Sequence, residues 1–96
     1  MKSLVITGTV WRYPGAGSWH FVNLPKNHSE RIKNAKTIWR GTFGYIPVQA
    51  KIGKTTWKTA LWPDKKSGTY LLVIKAAVRK KEKIVEGDRV RVAITL

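Results

Sequence analysis

Apolar residues recur at every second position along this chain, in short stretches divided by turn residues, and that spacing limits what it can become. In the cleanest stretch Val90, Val92, Ile94 and Leu96 alternate with Arg89, Arg91, Ala93 and Thr95. Successive side chains of a strand point to opposite faces, so the pattern specifies a strand with one face buried. Lys2 to Tyr13 reads the same way, with Leu4, Ile6, Gly8 and Val10 opposed to Ser3, Val5, Thr7 and Thr9. Pro14-Gly15-Ala16-Gly17 is turn chemistry, and Trp19 to Leu24 returns as the second arm of a hairpin. Thr42 to Ile52 is a third strand, in which Pro47 lacks a ladder donor and suits an edge or a bulge. Gly53-Lys54 is a Gly-first hairpin turn into a fourth strand, Thr55 to Trp62. Pro63 to Gly68 forms a loop, Thr69 to Ile74 a fifth strand, and the alternating segment above the sixth.

Two segments break the period. Asn27 followed by Glu30 has the spacing of a capping box, which predicts a short helix from His28 to Ala35 with Ile32 and Ala35 inward. Lys75 to Glu82 predicts a second, with Ala77 and Val78 toward the core. The order is then ββαβ followed by ββαβ. The expected architecture is a single mostly β domain over residues 1–96: six strands and two short helices, its two halves related by a pseudo-twofold and closed into a small barrel that hides the strand edges.

Composition narrows the chemistry. There is no Cys, which excludes disulfides, thiolate catalysis and cysteine-based zinc sites. Neither a signal peptide nor a transmembrane stretch is visible, so a cytoplasmic protein is expected, with no membrane partner. Nineteen Lys and Arg stand against five Asp and Glu, a formal charge of +14. The excess is not one tail: residues 1–48 hold seven basic and one acidic residue, and residues 49–96 hold twelve and four. Such a surface attracts polyanions, although it also serves solubility alone.

Several blocks together are similar to the 1905 family of domains of unknown function. They are Trp57-Lys58-Thr59-Ala60-Leu61-Trp62-Pro63, Gly68-Thr69-Tyr70, Lys75-Ala76-Ala77-Val78-Arg79-Lys80 and Glu86-Gly87-Asp88-Arg89-Val90, with Trp19 to Pro25 and Gly41-Thr42-Phe43-Gly44 before them. Val73 stands where the family often has Pro, and Ala60 where it often has Ser. The resemblance implies a double-split β-barrel, an architecture shared with swapped-hairpin DNA-binding dimers. It implies no activity, and fold alone does not carry function.

No catalytic site can be assembled from the residues. Asp88 beside Gly87 is a turn former, Glu30 a partner of Asn27, and Glu82 a relief for its cationic neighbours. His20 and His28 have no third ligand at metal spacing, and Pro14 to Gly17 precedes a strand rather than a helix, so neither a metal site nor a phosphate loop is expected. No cofactor and no enzymatic activity are therefore expected. What remains is cations interleaved with aromatics, a mixture that suits phosphates and unstacked bases. The expected function is non-enzymatic binding of DNA or RNA, with low sequence specificity. The candidate cations are Lys75, Arg79, Lys80, Lys81 and Lys83, extended by Arg89 and Arg91, with Lys65, Lys66, Arg12 and Arg40 beside aromatics. Trp11, Trp39 and Trp62, close to loops, are the candidate aromatic contacts, whereas Trp57 is expected in the core. The alternative is a protein-interaction or small-ligand module with an aromatic pocket between the halves of the barrel.

Overall fold

The computed structural model describes residues 3–15, 17–34 and 45–96. Its elements run β1 (Ser3–Thr9), β2 (Trp11–Arg12), β3 (His20–Asn23), α1 (Lys26–Asn34), β4 (Ile46–Ile52), β5 (Thr55–Asp64), β6 (Thr69–Val73), α2 (Ala76–Glu82) and β7 (Arg89–Thr95). The strands form one antiparallel sheet in the order β1-β7-β4-β5-β6-β3-β2, curled into a half-barrel. Seven strands are present where six were expected, because the first is divided at Val10. That residue keeps its backbone with the turn before β7, donating to Asp88 O and accepting from Gly87 N, each at 2.8 Å. One step later Trp11 pairs with Phe21 on β3, at the far end of the sheet. A single buried valine thus carries the chain between the two ends of the sheet order.

The pairing pattern maps onto itself when the halves are exchanged. Replacing β1 and β2 by β5, β3 by β6 and β4 by β7 turns β1·β7 into β5·β4 and β2·β3 into β5·β6, and returns β3·β6 and β4·β7 to themselves. Around β3 and β6 even the register is kept, since Trp11↔Phe21 answers to Trp62↔Leu71 and the Val22↔Leu72 pair lies at the centre. Trp11 and Trp62 are therefore equivalent positions of the two halves.

The alternation places the core. Ile46, Val48, Ala50 and Ile52 of β4 and Val90, Val92 and Ile94 of β7 are all buried, and they join Ile6, Val10, Val22, Leu24, Leu61, Leu72 and Ile74 in one cluster. Trp57 belongs to this core as expected, its Nε1–H having no acceptor among the described residues. Pro47 lies on the part of β4 that β5 pairs and β7 does not, so its missing donor breaks no ladder on that side. The turn at Gly53 has a φ of 58°, and Lys54 is not in the left-handed region, as a Gly-first hairpin requires.

Other boundaries differ from the sequence expectation. β5 runs on through Pro63 to Asp64, because its last residues pair with β6 as far as Asp64↔Thr69. α1 starts two residues early: the Pro25 carbonyl accepts from Ser29 N at 3.0 Å, so Asn27 lies inside the first turn and caps nothing. In α2 only Val78 is buried, and Ala77 is exposed. Ala35 and 42–44 lie outside the described residues.

Closure brings backbones close. A Cβ on Gly8 would sit 2.6 Å from Val22 Cγ1 and 3.4 Å from Asn23 O, which places β1 directly against β3. We expect Gly8→Ala to destabilise the fold by about 1–3 kcal/mol, the usual range for overpacking a stiff site. Urea unfolding should show that Gly8→Ala with Val22→Ala costs less than the sum of the two single changes.

Candidate functional site

The side of β5, β6, β3 and β2 that faces away from the core carries rings rather than the polar residues usual on a solvent-facing sheet. Register explains it. Trp62 lies across from Leu71, Val73 across from Phe21 and Phe21 across from Trp11, so all five project to one side. Tyr13 and Trp19 close the hairpin beyond, with Tyr13 N donating to Trp19 O at 2.8 Å. Tyr13, Trp19, Phe21, Trp62, Leu71 and Val73 line an open, almost wholly apolar groove of about 440 Å³. Tyr13 and Trp19 are each 52% exposed and Trp62 41%.

The rings are held in place. Trp19 lies parallel to Phe21, with centroids 6.5 Å apart and planes 9° apart. Trp62 is backed by Tyr45 at 4.9 Å. Trp11 is half-buried and packs on Phe21 at 5.2 Å, and its Nε1–H donates to Asn23 Oδ1 at 2.6 Å. Asn23 in turn donates to Thr69 Oγ1 at 3.1 Å, tying the β2 side of the groove to the start of β6.

Cations follow the groove residues along the chain. Lys65 and Lys66, both exposed, follow Trp62 through the loop after β5. Lys75 stands two residues beyond Val73 as the N-cap of α2. Arg79 donates through Nε to Ile74 O at 3.3 Å and through Nη2 to Ser18 O at 3.5 Å, beside Trp19. The α2 cluster is therefore not uniform. Lys80 and Lys81 are exposed, Arg79 is half-buried against the hairpin, and Lys83 takes the left-handed C-cap with φ 55°. At the other end of α2, Glu82 shares a cleft of about 380 Å³ with Arg89, Arg91 and Asp88, where β7 has left β4. Arg12 is exposed on β2, across from His20. Trp39 and Arg40 lie outside the described residues.

The remaining polar groups have local duties. His20 is buried and its Nδ1–H donates to Ser18 O at 2.7 Å. Glu82 accepts from Thr55 Oγ1 at 2.6 Å, and Asp88 from Val85 N at 3.0 Å. Among the described residues no group of three or more His, Asp or Glu could hold a metal ion, and no helix is long and apolar enough to cross a membrane. A second open cavity, about 520 Å³, lies between α1 and the β5–β6 loop and is lined by Ser29, Glu30, Lys33, Asp64 and Lys65, among others.

Sequence reasoning singled out Trp11 and Trp62 but not Tyr13, Trp19 and Phe21. The missing signal was pairwise: Trp11 and Tyr13 share one face of a strand, as do Trp19 and Phe21, and a hairpin puts both pairs on one side.

The family model described as a domain of unknown function (DUF1905) matches residues 7–94, and the chain belongs to that family. No curated protein and no solved structure matches it.

Asp64, at the end of β5, lines the second cavity. The Ser67 hydroxyl, 2.7 Å from Asp64 Oδ2, holds the Asp64 carboxyl below its usual range, helped by backbone N–H groups of the loop and the charge of Lys66 and opposed by slight desolvation. Because the folded pKa is depressed, the contribution is fully present at neutral pH and is lost as pH falls through that pKa. In an NMR titration of the carboxyl carbon, Ser67→Ala should move the Asp64 midpoint upward.

Proposed function

We propose that this protein is a non-enzymatic, cytoplasmic nucleic-acid-binding domain that holds DNA or RNA mainly through phosphates, with little sequence preference. One observation carries the proposal. Arg89 and Arg91 of β7 line one cleft with Glu82, the last residue of α2, and Lys80 and Lys81 of the same helix are exposed. Glu82 and Asp88, which line the same cleft, accept hydrogen bonds from Thr55 and from the Val85 N–H, and the cations of α2 and β7 outnumber them. Phosphates that replace counterions on such a surface bind with a free energy dominated by ion release. The surplus of fourteen positive charges acts in the same direction over a Debye length.

The finer architecture proposed with this function is a double-split barrel of six strands, in which β1 and β2 count as one strand bent at Val10. The self-mapping pairing pattern and the departure of β7 from β4 after Lys51↔Ala93 support it.

A docked protein or small ligand is the second function to weigh, because the groove beside Trp62 is apolar and open. It lies on the outer face of the sheet rather than between the halves of the barrel, where that alternative would have placed a pocket. Arg79, bonded to Ser18 O beside Trp19, favours an anionic occupant.

Fluorescence anisotropy with a labelled oligonucleotide should show affinity falling steeply as salt rises from about 50 to 200 mM. Arg89→Gln with Arg91→Gln should lower the logarithmic salt slope by about 1.5–2, and Lys80→Gln with Lys81→Gln by a similar amount, on the basis of about one released counterion per phosphate contact. Absence of binding to any polyanion at the lower salt would refute the function.

A further inference from the structure

We infer that the aromatic groove binds the bases of an unpaired polynucleotide strand, so that the ligand of this domain is single-stranded rather than duplex. The inference rests on the phosphate-binding function above and adds a site that the cations do not specify. Exposed rings here are not scattered. Tyr13, Trp19 and Trp62 stand over a floor of Leu71 and Val73, and all line one groove of about 440 Å³. The flanks are set by the sheet itself: Trp62 stands on β5 and Phe21 on β3, with β6 between them, so the strands that carry them are about 10 Å apart. That spacing leaves room for a planar ring between or upon the flanking aromatics. Trp62 is stacked on Tyr45 and Trp19 on Phe21, so the walls are ordered before a ligand arrives and little side-chain entropy is lost on binding.

A duplex cannot use such a groove. Its bases are stacked on one another and show only their edges, whereas stacking on a protein ring needs a free π-face. An unpaired strand offers free faces and phosphates in alternation. Arg79 is anchored at Ser18 next to Trp19, where it can meet a phosphate, and exposed Lys65, Lys66 and Lys75 follow Trp62 and Val73 along the chain. Asp64 is the carboxylate nearest in sequence to Trp62, and the Ser67 hydroxyl and N–H bonds already engage it. A second copy of the chain on this groove would bring a second charge of +14 against the first, which disfavours self-association there.

The test compares oligothymidylate, oligouridylate, a duplex and heparin on the same protein, read by anisotropy and by tryptophan fluorescence. Both single strands should quench the tryptophan emission and bind at least tenfold more tightly than the duplex, and the ratio of the two tells whether DNA or RNA is favoured. Trp62→Ala and Trp19→Ala should each weaken single-strand binding about fivefold or more, the loss of one stacked base, and leave heparin binding unchanged. Trp62→Phe and Trp19→Phe keep a ring and should restore most of the affinity, which separates stacking from any damage to the fold. Equal affinity for duplex and single strand, or aromatic variants without effect, overturns the inference and leaves phosphate binding standing. A concentration-dependent dimer that Trp62→Ala dissolves also overturns it. Failure of heparin, duplex and single strands alike to bind removes both proposals together.

Discussion

Everything in this fold depends on the chain crossing, at Val10, from one end of its sheet to the other. A curled sheet has two edges to hide, and unpaired edge groups are costly and prone to wrong pairing. Here the same N-terminal segment serves both, pairing with β7 before Val10 and with β3 after it. The cost is that the backbones must approach closely, which only Gly8 beside Val22 permits. Once this crossing is made, the interior is fixed: Val10 turns inward at the crossing, and the inward sets of β4 and β7 close on it from the other side.

The same geometry explains why the outer face is divided. β3 and β6 pair at the centre of the symmetric half of the sheet, and each presents apolar residues outward as well as inward. Trp11 and Trp62 then fall at equivalent places on either side. They are not used equally. Trp11 is fastened by Asn23 and covered by its neighbours, while Trp62, stacked on Tyr45, remains exposed. The symmetry of the fold thus supplies two ring positions, and local hydrogen bonding holds one half-buried while the other stays exposed.

How much of this was legible beforehand follows from what kind of signal each feature leaves. Where one face is buried the period of two is unambiguous, so the β4 and β7 core residues, the Gly53 turn and the order of helices and strands could be read directly. Asn27 misled because a cap is decided by the backbone before it, and Leu24 N, bonded to Tyr70 O, had already fixed where Pro25 would start the helix. Ala77 was placed inward because an alanine carries too little area to declare its side, whereas Val78 does. The division of the first strand left no mark in the alternation, since Val10 points inward whether or not the strand continues. The groove was hidden for a related reason: alternation assigns a face to each strand separately, and only the pairing of β2, β3, β6 and β5 shows that the outward rings converge.

Charge is the feature that sequence counts best and locates worst. Among the described residues the cations are spread over α2, β7, the β5–β6 loop and other elements, and taken alone that distribution is what solubility would produce. Two local facts set it apart from a solvated surface. Arg79 is drawn onto the Ser18 and Ile74 carbonyls, which ties the start of the basic helix to the Trp19 hairpin, and Glu82 is drawn onto Thr55 at the other end, beside Arg89 and Arg91. The helix is thereby strung between the aromatic groove and the β7 arginines, with Lys80 and Lys81 facing solvent along it. A polymer that alternates flat rings with negative charge could engage the groove and the helix at once. A free phosphate, a polyanion without rings or an apolar peptide would each match only part of that surface. The coupling of the two features through α2, more than the size of the net charge, is what the proposal of a single ligand rests on.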